Sequence, residues 1–233
     1  MMNTFNNDVA ALVPAAGLGK RLGLGPKAFL NLGGSNLVYK VVNTLTSCVG
    51  RIFVGVPHDY VDKAHSELAD LAEVYPGGAS RQDTIFSLFQ KCTEQIIVIH
   101  DIVRPFASRE LVFKVIDGAR RHGVAAPFVP TLIPAARYQN GFVTESVPAS
   151  EAMLPQAPQA FHREILERAY QDALKNGIEE QTTLELVLRL GIKVLAVPGE
   201  ELNIKITNPL DWEIANKVIL PVIEPGETKG GKS

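Results

Sequence analysis

Apolar positions along this chain fall into two alternating rhythms. Residues 9–15 form a continuous apolar run that stops at glycine, the pattern of a buried strand entering a loop. Leu37, Val38, Val41, Val42 and Leu45 recur at helical spacing within 37–48. Residues 51–57 predict a strand and 60–72 a helix. The next helix, 81–92, turns Ile85, Leu88 and Phe89 inward, and strand, helix and strand follow at 95–101, 109–123 and 124–129. Such alternation predicts a mostly parallel sheet with helices on its faces.

The alternation stops near Pro130. Residues 131–152 are polar and turn-rich, and Asn140-Gly141 sits between short extended runs, a hairpin signal. This segment reads as a β-arm projecting from the sheet. A helix returns at 162–177 with Gly177 as its C-cap. A second helix lies within 179–190, then a strand at 192–199 and a helix from Asn208-Pro209 to 220. The tail from about 224 to 233 reads as loose. A single domain spans 1–233, without internal repeats.

Composition narrows the function classes. The chain has 233 residues, 46% hydrophobic and 21% charged, as in ordinary globular domains. A net charge of −2 gives no sequence-wide attraction to nucleic acid or to an anionic membrane. No apolar run approaches a membrane span, and the N-terminus lacks the pattern of a secretory signal. Cys48 and Cys92 stand outside any metal or redox spacing. The expectation is a cytoplasmic protein.

The chemistry concentrates in VPAAGLGKRLGLGPKAFLNLGG, residues 13–34, where Gly17, Gly19, Gly23 and Gly25 surround Lys20, Arg21 and Lys27. Glycine lets backbone amides approach a ligand, and successive amides with fixed cations suit a polyphosphate. The loop is neither a dinucleotide fingerprint nor a Walker loop: one residue too many precedes its last glycine, and Arg21, not Ser or Thr, follows Lys20. Read alone, it is equally a flexible surface turn. Three further segments, GGASRQDTI (77–85), IHDIVRPF (99–106) and NIKITNP (203–209), lie near strand ends or helix starts, where they can share one crevice.

PAAGLGKRLG-LGPKAFL, GGASRQDTI, HDIVRP, PQAF and NIKIT occur in this order over residues 9–219. The chain therefore resembles the 2-C-methyl-D-erythritol 4-phosphate cytidylyltransferases and the related ribitol-5-phosphate cytidylyltransferases. The resemblance implies a Rossmann-like α/β nucleotidyltransferase fold, with helices on both faces of the sheet and a protruding β-arm that forms a homodimer. It implies transfer of CMP from CTP to a polyol phosphate, with release of pyrophosphate and with Mg²⁺ as cofactor. Arg21, Lys27 and Lys205 would be catalytic, steadying the triphosphate and the transition state. Ala15, Ala16, Gly17, Gly19, Gly78, Arg81 and Thr84 would bind the nucleotide. Asp101, Arg104 and Thr131 would bind the acceptor, with Asp101 also the metal ligand. His100 has no catalytic place in this scheme.

Departures from the family pattern gather on the acceptor side. The arm arginine falls at Ala149, the threonine before Pro158 at Ala157, and the acid after the glycine pair at Ala79. Arg137 lies in the arm and can stand in for the missing guanidinium. The acidic pair opening the helix near 180 aligns either with Thr182–Thr183 or with Glu179–Glu180. Other acceptors, ribitol 5-phosphate among them, and a non-catalytic nucleotide-binding homologue stay open here. A dinucleotide-dependent oxidoreductase fits less well. It needs an acid about 20 residues past its fingerprint, whereas the first one after the second strand is Asp59, about 40 residues past the loop.

Overall fold

The computed structural model describes residues 6–19 and 22–224. The chain begins with β1 (Val9–Pro14), a small hairpin of β2 (Asn31–Leu32) and β3 (Ser35–Asn36), then α1 (Leu37–Leu45) and β4 (Arg51–Val56). Next come α2 (Val61–Leu68), β5 (Glu73–Pro76), α3 (Arg81–Phe89), β6 (Ile96–Ile99), α4 (Arg109–His122) and β7 (Val124–Pro130). The arm holds β8 (Ala135–Gln139) and β9 (Phe142–Val147). After it come β10 (Met153–Pro155), β11 (Gln159–His162), α5 (Arg163–Asn176), α6 (Thr183–Arg189), β12 (Leu195–Pro198), α7 (Pro209–Ile214) and α8 (Leu220–Ile223).

The main sheet has eight strands in the order β10-β7-β11-β6-β1-β4-β5, with β12 paired to β7. Only β10 and β11 run antiparallel to their neighbours, so the sheet is mostly parallel. Central β1 is apolar throughout because both of its faces are covered. Val9, Ala11 and Val13 point into one core layer with α1, α2 and α4, while Ala10 and Leu12 point into the other with α3, α5 and α6. Helices thus cover both faces.

Three strands of the main sheet escape the hydrophobic pattern. In β5 only Val74 is buried, and Glu73 and Pro76 break any apolar run. β10 and β11 together form one interrupted strand beside β7, its halves separated by Gln156, Ala157 and Pro158. Both pieces are too short to show a period of their own. The arm matches its expected bounds. Its root closes where the Thr131 N–H donates to Ala152 O at 3.3 Å. At its tip Asn140 and Gly141 both take positive φ, as a type I′ turn requires. Gly177 caps α5 in the left-handed conformation.

Capping boxes fix three helix starts, at Ser80–Asp83, Thr182–Glu185 and Asn208–Asp211. At the second, Thr182 and Thr183 open α6, whereas Glu179 and Glu180 lie in the preceding loop. Glu180 pairs there with Arg189 at 3.4 Å. The helix expected over 208–220 continues through a π turn at Ala215–Ile219 into α8. Pro221 has no N–H to continue an α ladder, and a π turn accommodates such a break. The tail from 225 onward lies outside the described residues.

His100, just past β6, is 1% exposed, and its N–H donates to Leu12 O at 3.0 Å. Burial holds its imidazole down to about 4, assisted by Arg104 and opposed by Asp101 and by a hydrogen bond to the Arg104 backbone. The side chain is therefore a neutral packing group, as its sequence context suggests. An unfolded imidazole takes up a proton near 6.5 and the folded one only near 4, so acid favours the unfolded chain within that window. Stability should fall by about 3 kcal/mol on going from pH 7 to pH 4 beyond the fall in a His100→Gln variant. Urea unfolding of both proteins across this range checks it, and parallel pH profiles would contradict it.

Candidate active site

The parallel strands β6, β1, β4 and β5 end on the same side of the sheet. The chain steps outward from β1 to β4 and β5, then returns to β6 on the other flank of β1. Such a reversal opens a crevice beyond the strand ends. Here it forms a cavity of about 350 Å³, within the usual range for small-ligand sites. The loop after β1 supplies Ala16, Gly17, Gly19 and Lys27; the turn after β5 supplies Gly78, Ala79, Ser80, Arg81 and Thr84. Asp101 enters after β6, and Lys205 and Thr207 from the segment after β12. A wider crevice of about 800 Å³ lies between α1 and the start of α4. In its lining Lys40 pairs with Glu224, and Glu200 accepts from the Ser108 hydroxyl.

Backbone contact requires the glycines. Gly19 has φ +68°, and a Cβ there would stand 2.1 Å from Gly25 O, so the loop crosses itself only without a side chain. A Cβ on Gly55 would sit 2.5 Å from Thr84 Cγ2, and one on Gly77 would sit 2.3 Å from Ala16 Cβ. The second contact presses the loops after β1 and β5 together, and the first presses α3 onto β4. Thr84 completes the wall: its hydroxyl donates to Ser80 O at 2.8 Å and accepts the Gly78 N–H at 3.0 Å.

Asp101 organises the charge. Arg81 donates to its Oδ1 through Nε at 3.0 Å and Nη2 at 2.8 Å, and Lys205 Nζ lies 3.3 Å from Oδ2. Burial pushes the carboxyl up, but Arg81 and Lys205 outweigh it and hold it well below the usual carboxylate range. Lys27 Nζ donates to Ile206 O at 2.9 Å and Thr207 O at 3.2 Å, linking the first loop to the last.

Of the residues expected from sequence, Ala16, Gly17, Gly19, Lys27, Gly78, Arg81, Thr84, Asp101 and Lys205 line this cavity together. Ala15 does not: it is buried, and its N–H donates to Gly55 O at 2.7 Å rather than to a ligand. Arg104 is not part of the lining either. Its Nη1 donates to Asn203 O at 2.6 Å and its Nη2 to Pro155 O at 3.2 Å. Thr131 lies at the root of the arm, its hydroxyl 3.3 Å from Ala152 O. Arg137 forms an ion pair with Glu145 at 2.6 Å within the arm. Arg21 lies outside the described residues. Ser80, Ile102, Val103 and Thr207 also line the cavity without having been expected. Of these, only Ser80 had a readable signal, its capping-box spacing to Asp83.

Among the described residues, no group of three or more His, Cys, Asp or Glu can hold a metal ion. Asp101 is the one carboxylate among the described residues of the lining, and both its oxygens face cations. This donor set does not make a protein-built metal cage. It fits an ion that arrives with phosphate oxygens and water as most of its ligands.

The profile of the 2-C-methyl-D-erythritol 4-phosphate cytidylyltransferase (IspD) family matches residues 9–220. The enzyme of that name from Thermus thermophilus is 34% identical over 208 residues, covering 89% of this chain and 95% of its own. The one from Syntrophus aciditrophicus is 34% identical over 221 residues, covering 89% and 94%. The crystal structure of the Thermus thermophilus enzyme superposes with a TM-score of 0.77 at 32% identity, covering 89% of this chain and 96% of that one. Family match, fold and crevice agree, and the chain belongs to the 2-C-methyl-D-erythritol 4-phosphate cytidylyltransferase family.

Proposed function

We propose that this chain transfers CMP from CTP to 2-C-methyl-D-erythritol 4-phosphate and releases pyrophosphate. The observation that carries the reading is the cavity itself, where glycine-rich backbone and Lys27 share one lining with Asp101 and its partners Arg81 and Lys205, in a chain of this family. A phosphate oxygen of the acceptor attacks the α-phosphorus of CTP, and the bond to the oxygen bridging to the β-phosphate breaks. The attacking oxygen is already anionic, so the reaction needs no strong general base. Its difficulty is bringing two anions together and stabilising a transition state of higher charge.

In this reading Lys27 and Lys205 neutralise the reacting phosphates, joined by Arg21. The Gly17–Gly19 backbone lies along the triphosphate. Gly78, Arg81 and Thr84 surround the cytidine, and Ala16 packs beneath it. Asp101 meets the acceptor. Arg104 and Thr131 would reach the acceptor's phosphate from the crevice rim and from the arm. Magnesium carried by the nucleotide would take one oxygen of Asp101 and screen phosphate charge when bound.

The same reading makes the protein a homodimer. Among the described residues, strands β8 and β9 pair only with each other, and the arm exposes Leu132, Ile133, Tyr138, Phe142 and Val143. An isolated two-stranded ribbon is marginal in water, and a second copy would cover these side chains.

Pyrophosphate release from CTP and Mg²⁺ should require 2-C-methyl-D-erythritol 4-phosphate, with ribitol 5-phosphate a poor substitute. Equal rates with both acceptors would overturn the acceptor assignment, and no release with any polyol phosphate would overturn the function. Lys27→Ala should lower turnover by roughly 10²-fold, since it removes a charge aimed at the reacting phosphates; steady-state kinetics at saturating CTP decide this. Sedimentation of the unmodified chain should give a dimer, and a Tyr138→Glu, Phe142→Glu variant a monomer. A monomeric unmodified chain would refute the assembly.

A further inference from the structure

Residues 199–207 contain no helix or strand, yet they carry Lys205 and the two carbonyls that receive Lys27. Something other than a ladder must fix them. Their anchor is the side chain of Gln156, 6% exposed, in the interruption between β10 and β11. Its backbone N–H donates to Pro127 O at 2.8 Å, which continues the β10–β7 pairing. Its carboxamide turns toward the segment. Nε2 donates to Glu200 O at 2.8 Å, and Oε1 accepts the Glu200 N–H at 3.1 Å, as a neighbouring strand would. The same amide also reaches Asn203: Nε2 lies 3.3 Å from Asn203 O, and Asn203 Nδ2 lies 3.3 Å from Oε1.

Asn203 is fully buried and closes the connection. Its Nδ2 donates to Ala157 O at 2.8 Å, and its carbonyl receives Arg104 Nη1 at 2.6 Å. Beyond it, the Ile206 N–H donates to Val103 O at 2.9 Å, tying the far end of the segment to the loop after Asp101. A Cβ on Gly199 would stand 2.7 Å from Gln156 Oε1, so the fit leaves no room for a side chain there. The Gln156 amide is paired at both its polar atoms, whereas Asn203 Oδ1 has no partner among the described residues; a buried amide so paired holds one conformation, because any other leaves its polar atoms unpaired.

We propose that Gln156 is a positioning residue: its carboxamide serves as a one-residue strand that sets the 199–207 segment, and through it Lys205, the carbonyl seat of Lys27 and Arg104. Gln156 is not part of the cavity lining. Its effect on turnover runs through these cations, and in that respect the inference rests on the function proposed above. Misplacing a charge by about 1 Å costs up to about 10²-fold in rate.

The test is Gln156→Met, which keeps the length and removes both hydrogen-bonding atoms. Gln156→Glu, which keeps an acceptor for the Glu200 N–H but loses the donor, serves if the first variant does not fold. The expected result is a kcat at least about 10-fold lower for the folded protein, with the KM for CTP changed by less than about 3-fold. Combined with Lys205→Met, the losses should fall well short of multiplying. Hydrogen exchange should quicken at the amides of residues 200, 203 and 206 and stay unchanged in β1 and β4. A kcat equal to that of the unmodified chain, or losses that multiply, would overturn the proposal, even if the melting temperature fell. If the unmodified chain releases no pyrophosphate, the functional reading fails by itself. The exchange data then still decide whether Gln156 sets the segment, and unchanged exchange refutes it.

Discussion

Positive charge gathered in one crevice repels itself, and a chain that needs it there must hold it before any anion arrives. This chain does so by giving each described cation an oxygen. Arg81 and Lys205 share Asp101, Lys27 rests on the carbonyls of Ile206 and Thr207, and Arg104 rests on those of Asn203 and Pro155. Asp101 is 14% exposed, so water screens its pair with Arg81 less than its pair with Lys205, which is 46% exposed. Its carboxyl stays ionised despite burial because those cations outweigh the cost of desolvation. The groups that would meet phosphate are thus already oriented, and reorganisation of dipoles and charges is the cost that enzymes gain most by avoiding.

The oxygens are themselves held by the sheet. Asp101 leaves the C-terminal end of β6, and the glycine loop leaves the end of β1 beside it. Close contact of Gly77 with the Ala16 side chain fixes how the loops after β1 and β5 approach, and contact of Gly55 with the Thr84 side chain sets α3 against β4. The carbonyls that seat Lys27 belong to a segment with no ladder of its own. Buried amides do that work, and they come from the interruption in the strand beside β7. Parallel strands aim the loops, close packing spaces them, and a polar core sets the last loop in register with the rest.

Much of this was legible in the sequence. Alternating apolar runs gave the parallel core, Asn140-Gly141 located the arm, and glycine with fixed cations marked the crevice. These features announce themselves because each depends on a local rule: a period, a turn residue, a cap. What escaped has no local rule. β11 is four residues long and antiparallel within a largely parallel neighbourhood, and its assignment depends on β6 and β7, far off in the chain. Gln156 and Asn203 look like ordinary polar residues, and only burial reveals that they pair across 47 positions. Ala15 matched the motif by position, yet its amide was already needed by β4. A motif names the residues at a site, but packing decides which of their atoms remain for a ligand.

The same distinction explains how the chain carries alanine at three family positions without losing the fold. Ala157 contributes its backbone carbonyl to Asn203. The Ala149 carbonyl lies 3.5 Å from the Thr131 hydroxyl, again through backbone alone. Ala79 stands exposed at the lip of the cavity. At Ala149 and Ala157 the scaffold uses the main chain; the Ala157 side chain is buried, whereas that of Ala79 is exposed. Arg137 does not restore the missing guanidinium, because Glu145 holds it within the arm. The crevice lining keeps Gly17, Gly19 and Gly78 together with Lys27, Arg81 and Lys205, and of the three alanines only Ala79 is part of it.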